Sequence, residues 1–192
     1  MRGRSGQREV LGLGEDRKNG EPTAAAANFS APRFEDVVHE FAPLVARIAA
    51  SYEADHALRE DLTQHIWLAI WQSLANWRGD GSLKGFVARI AQNRSISHVS
   101  RQSRVPKPAE LYHTVKAEVP SPEERAIESS ERERLIAATR RLPLPQRQVI
   151  VLIMEGFSYA DIAAMLDLAP NALSLRLARA KSALTKMLKR RR

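Results

Sequence analysis

The sequence contains no cysteine, which excludes disulfide bonds, zinc–thiolate sites and cysteine nucleophiles. It also lacks any apolar run approaching the roughly 20 residues that are needed to span a bilayer. Arginines occur near the N-terminus, but no apolar stretch follows them, so no secretory signal is predicted. From these absences we expect a protein of the cytoplasm.

Acidic residues are missing from two long stretches, between Gly81 and Ala109 and after Asp167. The formal net charge is +8 and the pI is about 10.3. A net positive charge alone fits any soluble basic protein. The clustering of bases in acid-free stretches favours a polyanionic partner such as nucleic acid. For Arg190 to Arg192, a frayed solubilising tail is an equal alternative. The bases in the two stretches are Lys84, Arg89, Arg94, Arg101, Arg104 and Lys107, then Arg176, Arg179, Lys181, Lys186, Lys189 and Arg190 to Arg192.

Period-two alternation is also absent, whereas apolar residues recur at spacings of three and four. The fold class predicted is therefore all-α. Residues 1–30 show no period and are interpreted as a disordered tail. Asp55 and Ser82 are predicted to precede the second and third helices, while Pro43 is expected to kink or split the first. Residues 104–130 contain several prolines and acids, which is typical of a linker between two small helical domains.

The strongest local pattern lies near the C-terminus, in GFSYADIAAMLDLAPNALSLRLARAKSAL, residues 156–184. A helix from about Gln146 should stop at Gly156, Ser158 is a natural N-cap, and Pro170 suits the first position of a last helix. Two short helices joined by a three-residue turn, the second one basic, indicate a helix-turn-helix. A plain helical hairpin is the less favoured alternative. One face of the last helix is predicted to pack inward through Leu173, Leu177, Ala180, Leu184 and Leu188.

Features of catalysis are scarce. No nucleophile elbow or phosphate-cradling glycine loop is present, and the histidines show no recognisable metal-ligand pairing. We therefore expect no catalytic residue, no metal site, no cofactor and no enzymatic activity. The histidines are His39, His56, His65, His98 and His113.

Two segments together resemble one family, the extracytoplasmic-function sigma factors of bacterial RNA polymerase. REDLTQHIWLAIWQSLANWRGDGSLKGFVARIAQNRSISHVSRQSR, residues 59–104, resembles sigma domain two, and LPLPQRQVIVLIMEGFSYADIAAMLDLAPNALSLRLARAKSAL, residues 142–184, resembles sigma domain four. The resemblance implies that residues 31–103 form domain two and residues 131–192 form domain four. It also implies core RNA polymerase, promoter DNA and an anti-sigma factor as partners.

The resemblance implies that the second helix docks on polymerase through Glu60, Asp61, Thr63 and Gln64. Leu58 and His65 stand where the family usually has acids. One hypothesis is that phosphorylation of Thr63 by a regulatory kinase restores docking, because a phosphate would add roughly 1.5 to 2 negative charges. A routine threonine is the alternative that we favour.

The minus-ten surface implied by the resemblance lies on the loop from Asn76 to Ser82 and on the third helix. Trp77 can stack on a flipped base or fill the core, and we favour the core slightly. Phe86 replaces the usual Trp and keeps a stacking face, while Asn93 can hydrogen-bond an exposed base. The residues implied are Asn76, Trp77, Arg78, Lys84, Phe86, Arg89, Asn93, Arg94 and His98.

The minus-thirty-five surface implied by the resemblance lies on the helix-turn-helix. The outward face of its second helix has few strong donors, so Leu175 can touch a thymine methyl group and Asn171 can pair with adenine. The residues implied are Arg147, Ser158, Tyr159, Asn171, Ser174, Leu175, Arg176, Arg179 and Lys181. Two alternatives keep the fold: a helix-turn-helix regulator that acts without polymerase, and a sigma-like interaction module without promoter-opening activity.

Overall fold

A computed structural model describes residues 32–103 and 123–189, with the backbone alone for residues 123–130. These residues form seven α-helices and contain no strand, which confirms the all-α prediction. The tail at 1–30, the prolines of the linker, His113, Lys107 and Arg190 to Arg192 lie outside the described residues. In chain order the helices are α1 (Phe34–Ala50), α2 (His56–Leu74), α3 (Leu83–Gln102), α4 (Glu123–Arg140), α5 (Leu144–Met154), α6 (Tyr159–Leu166) and α7 (Pro170–Lys189).

Helices α1 to α3 form the N-terminal domain, and local signals place their ends. The carboxylate of Asp55 accepts a hydrogen bond from the Leu58 N–H at 3.0 Å, and the Ser82 hydroxyl accepts one from the Gly85 N–H at 3.1 Å. Both caps are therefore as predicted. Gly79 and Gly81, with φ of 84° and 80°, give the turn between α2 and α3 a backbone that residues with a Cβ rarely adopt.

Of the two effects expected of Pro43, a kink or a split of the first helix, the split is wrong, because α1 is one helix from Phe34 to Ala50 with Pro43 inside it, and the kink stays a prediction. Pro43 lies on the exposed side of α1, while Phe41 and Leu44 are buried on either side of it along the chain. A proline inside a helix removes one hydrogen bond and crowds the preceding turn, at a cost of about 3 kcal/mol. Apolar packing on both sides of that position therefore holds the two parts of α1 together.

Helices α4 to α7 form the C-terminal domain. Helix α4 begins at Glu123, inside the segment that we interpreted as linker, and α5 begins two residues before the predicted Gln146. Gly156 has φ 77°, and Ser158 forms a capping box with Asp161. The inward face of α7 is confirmed for Leu173, Leu177, Ala180 and Leu184, which are buried, whereas Leu188 is half-buried.

The two domains pack against each other within the described residues. Helix α3 contacts α5 and α6, and the buried apolar residues of both domains belong to one connected cluster. Sequence patterning predicted two domains on a linker but gave no indication of this contact. The packing places the first turn of α3 beside the C-terminal end of α5.

Candidate polymerase and nucleic-acid interfaces

Helix α3 presents an exposed face without acids. One side of the helix is buried through residues such as Val87 and Ala91. Arg89 and Asn93, one turn apart, are exposed on the opposite side, and Arg94 is exposed at the edge of the buried side. Two guanidinium groups beside an amide can bind phosphate oxygens and the polar edge of a base. The structure therefore exposes three of the predicted minus-ten residues on α3, and two of them, Arg89 and Asn93, are neighbours on one face.

The loop before α3 carries an aromatic pair. The rings of Trp77 and Phe86 have centroids 6.0 Å apart at an interplanar angle of 40°. Both side chains are half-buried, and Asn76 and Arg78 beside them are exposed. Trp77 therefore packs on Phe86 while part of it stays accessible, a position between the two alternatives that the sequence left open.

His98 lies in a nearly buried polar cluster. Its Nε2 is 2.8 Å from Oε2 of Glu53, and Nε2 of Gln102 donates to the same oxygen at 2.7 Å. Burial by itself raises the pKa of Glu53, but the bonds from His98, Gln102 and the Asp55 backbone outweigh it, so the pKa lies below its ordinary value. His98 as a DNA contact stays a prediction. In the structure its side chain links α3 to Glu53, in the segment after α1.

Helix α2 carries the predicted docking residues on its surface. Glu60, Asp61 and Gln64 are exposed, and the half-buried Thr63 donates its hydroxyl to the Arg59 carbonyl at 2.8 Å. A cavity of about 350 Å³ between α1 and α2 is lined by Glu60, Thr63 and Gln64, with Ala46 and Arg59.

The same helix exposes two large apolar side chains that sequence reasoning passed over. Leu68 is 50% exposed and Trp71 is 58% exposed. They are three residues apart, so they are neighbours on the helix surface. Their signal in the sequence is that both fall outside the inward stripe of Leu62, Ile66 and Ile70, all of which are buried.

The helix-turn-helix exposes part of the predicted minus-thirty-five surface. Tyr159 is exposed, and Leu175 is 51% exposed on α7. The Ser158 hydroxyl is engaged in its cap, where it accepts from the Asp161 N–H at 3.1 Å. Arg176 is half-buried, and the remaining α7 residues of the set are exposed: Asn171, Ser174, Arg179 and Lys181.

Arg147 is separate from that surface because it is buried between the domains. Its guanidinium carbon lies 5.4 Å from the centre of the Tyr52 ring, and Nη2 donates to the carbonyls of Leu142 and Arg140. Burial lowers its pKa, and its buried Nε has no hydrogen-bond partner among the described residues. In this arrangement Arg147 is not available to DNA.

Polar contacts among the described residues join the domains, and we call the following set the interdomain contact. Glu155, at the end of α5, accepts from Arg47 through its carboxylate and from Lys84 through its carbonyl. Gln92 donates to the Gln148 carbonyl at 3.2 Å, Arg140 donates to the Ala50 carbonyl at 2.8 Å, and Arg147 lies over Tyr52.

The hydrogen bonds of the interdomain contact are partly buried, and those of Arg47, Lys84 and Arg140 are assisted by charge. The hydrogen bond to Glu155 raises the pKa of Arg47 above its ordinary value, although partial burial by itself lowers it. Burial raises the pKa of Tyr52, whose hydroxyl donates to Oε1 of Gln92 at 2.6 Å. Since the partners are 56 to 108 residues apart in sequence, no local signal could have revealed them.

Within the described residues, no group of three or more His, Asp or Glu side chains is arranged to hold a metal ion. Among the helices of those residues, none is both long and apolar enough to cross a membrane.

Comparison with known proteins shows the family. The model of Sigma-70 region 2 matches residues 37–105, and that of Sigma-70, region 4 matches residues 132–184. An ECF RNA polymerase sigma factor, SigE of Mycolicibacterium smegmatis, is 31% identical over 85% of this chain and 67% of its own length. The RNA polymerase sigma-H factor of Pseudomonas aeruginosa is 30% identical over 78% of this chain and 81% of its own length.

Solved structures agree with this fold. The sigma factor RpoE of Bartonella quintana, solved with the anti-sigma factor NepR, has a TM-score of 0.62 at 24% identity, covering 81% of this chain and 96% of that chain. CnrH, solved with the cytosolic domain of CnrY, has a TM-score of 0.57 at 23% identity, covering 81% of this chain and 87% of that chain. The two family matches in this order, the relatives and the helix-turn-helix show that the chain belongs to the extracytoplasmic-function sigma factors of RNA polymerase, which direct the polymerase to promoters in transcription initiation.

Proposed function

We propose that this sigma factor divides promoter recognition between residues 31–103 and residues 131–192. The N-terminal domain binds core polymerase through α2 and the minus-ten element through α3, and the helix-turn-helix binds the minus-thirty-five element. The observation that carries this assignment is the acid-free surface of α3, on which Arg89 and Asn93 are exposed one turn apart and Arg94 is exposed beside the core.

Polymerase docking rests on the surface of α2. Glu60, Asp61 and Gln64 are exposed there and can pair with basic groups of a partner. The exposed Leu68 and Trp71 add apolar area, and aromatic side chains often anchor interfaces. We assign docking to both sets because they belong to one helix.

Promoter opening needs no covalent step in this proposal. Asn93 hydrogen-bonds an unstacked base, the Trp77–Phe86 pair offers an aromatic face, and Arg89 holds phosphate. Such a surface binds a separated strand better than a stacked duplex, and this difference in affinity shifts DNA toward the open form. The chain accordingly acts without a cofactor and without catalysis of its own, in the cytoplasm with the polymerase.

Recognition of the minus-thirty-five element is assigned to the exposed residues of α7. Leu175 suits the methyl group of thymine, and Asn171 suits the edge of adenine. Arg179 and Lys181 supply phosphate contacts that fix register. We also propose an anti-sigma factor as a partner, supported by two solved structures, in which the sigma factor RpoE is in complex with the anti-sigma factor NepR and CnrH is in complex with the cytosolic domain of CnrY.

The experiment that tests the function is run-off transcription with purified core polymerase on a library of genomic fragments, with and without this protein. Discrete new start sites establish the promoter elements by alignment. Core binding without start sites favours an interaction module. Neither core binding nor start sites favours a helix-turn-helix regulator that acts without polymerase.

A further inference from the structure

Two cations of the N-terminal domain meet at one residue of the C-terminal domain. Nη2 of Arg47, on α1, donates to Oε2 of Glu155 at 2.6 Å, and Nε donates to both carboxylate oxygens at 3.0 Å. Nζ of Lys84, on α3, donates to the Glu155 carbonyl at 2.6 Å and lies 4.7 Å from the centre of the Phe157 ring. The Glu155 side chain is only 6% exposed, whereas the Arg47 side chain is 41% exposed, so the carboxylate is shielded from water and the guanidinium stays partly accessible.

The group bound by these cations resembles a phosphate in its chemistry. A carboxylate and a nearby carbonyl present three oxygens, and the C-terminal end of α5 adds the negative end of a helix dipole. A guanidinium that binds a carboxylate through two nitrogens binds a phosphate in the same way, and an ammonium binds phosphate as a point charge. Lys84 also belongs to the first turn of the helix to which we assign the minus-ten strand.

The packed arrangement cannot serve both promoter elements at once. The minus-ten and minus-thirty-five elements of a promoter are separated by about 25 base pairs. At a rise of 3.4 Å per base pair this is about 85 Å of DNA. A compact unit of this length has a radius of gyration of only about 15 Å. The domains therefore have to separate before α3 and α7 reach their two elements, and separation uncovers Arg47 and Lys84.

The interdomain contact is also suited to opening. It buries the Arg147 guanidinium, whose Nε lacks a partner among the described residues, and a buried cation with incomplete hydrogen bonding costs free energy. Opening returns this group to water.

We propose that Arg47 and Lys84 form a phosphate-binding subsite for the promoter strand, and that the C-terminal end of α5 occupies this subsite in the closed form. Closure and DNA binding then compete for the same two cations. The inference rests on the proposed function in one respect, since it takes α3 as the helix that binds the separated strand.

The test uses the absence of cysteine, because two introduced cysteines are then the only sites for spin labels. Labels at Ala42→Cys on α1 and Ser182→Cys on α7, both exposed, report the distance between the domains. We expect Glu155→Gln to lengthen this distance and to raise the affinity for a short oligothymidylate at least threefold. The matched control is Glu131→Gln, an exposed acid of the same domain, which should change neither quantity.

Two further measurements identify the subsite. In the Glu155→Gln background, Arg47→Gln and Lys84→Gln should each abolish the gain in affinity and reduce the salt dependence of single-strand binding by about 0.7. Oligothymidylate added to the labelled chain with native Glu155 should lengthen the distance, a result that needs no change at the interface and is not affected by misfolding of a variant.

The proposal is overturned if Glu155→Gln and Glu131→Gln bind oligothymidylate equally, or if the distance lengthens without a gain in affinity. Failure of the proposed function looks different: no start sites in run-off transcription, although Glu155→Gln still opens and binds the oligonucleotide. Start sites with the unaltered chain, together with equal behaviour of the two variants, leave the function intact and reject the competition.

Discussion

Helices α3 and α7 are both 20 residues long and contain no acid, yet they are held in different ways. Helix α7 attaches through a stripe of buried side chains, with Leu177 and Leu184 in its middle. Helix α3 is also fixed by polar bonds that involve Lys84, Gln92 and His98. A stripe of apolar side chains offers nothing to a phosphate, whereas the donors that hold α3 can bond to phosphate oxygens in place of protein oxygens. The helix proposed to bind a separated strand is thus the one whose bonds can be exchanged.

The largest effect is expected from removing a buried apolar side chain that holds α7 on its domain. We expect Leu177→Ala to lower the free energy of unfolding of the C-terminal domain by about 2–5 kcal/mol, because it leaves a cavity beneath the helix. Leu175→Ala removes the same atoms from an exposed position of the same helix and should change stability by no more than about 0.5 kcal/mol. Urea unfolding of both variants checks this. Equal losses would mean that α7 is not held by its inward stripe.

Local signals explain why α7 and its neighbours could be predicted from the sequence. Gly156, Ser158 and Pro170 act on the residues next to them, so the ends of α5, α6 and α7 follow from short-range rules. Pro43 does not split α1, because burial of Phe41 and Leu44 on both sides of it offsets the missing hydrogen bond.

The parts of the molecule that could not be predicted depend on distant residues. The bond between Arg47 and Glu155 joins positions 108 apart, and that between Lys84 and Glu155 joins positions 71 apart. Sequence patterning placed Lys84 in a basic stretch but could not indicate which oxygen it binds. The roles of the candidate site residues in binding polymerase and DNA stay predictions.

A smaller effect is expected from the polar cluster that holds α3 near its C-terminal end. Glu53→Gln should lower the free energy of unfolding by roughly 1–3 kcal/mol at neutral pH, because the carboxylate bonds to His98 and Gln102 are lost or weakened. Since the folded pKa of Glu53 is lowered, its contribution is present above the unfolded pKa of about 4.3 and is lost as pH falls through the folded pKa.

Thermal melts across this acidic range check the sign. The unaltered chain should lose stability on acidification more steeply than Glu53→Gln. Glu40→Gln, an exposed change of the same charge on α1, should behave as the unaltered chain does. Parallel curves for Glu53→Gln and the unaltered chain would show that the cluster does not depend on the carboxylate.

Exposed arginines on α3 and α7 allow the DNA binding of the two helices to be compared. Arg89→Ala on α3 should reduce the salt dependence of single-strand binding by about 0.7, and Arg179→Ala on α7 should reduce that of duplex binding by about 0.9. Both arginines are exposed, and Arg33→Ala, exposed before α1, provides the control. Titrations at several salt concentrations measure the slopes. A loss on both probes from either single variant would contradict the division of labour between α3 and α7.

The smallest effect is expected at Thr63, on the docking helix. Its hydroxyl donates to the Arg59 carbonyl one turn earlier, and the side chain is half-buried beside Glu60. Thr63→Asp therefore adds charge next to existing charge and gives up a local bond, so we expect run-off activity no higher than that of the unaltered chain. Thr63→Val, which removes the hydroxyl and adds no charge, separates the two effects. Greater activity for Thr63→Asp alone would support the phosphorylation switch. It would also mean that a negative charge added to α2 controls its docking on polymerase.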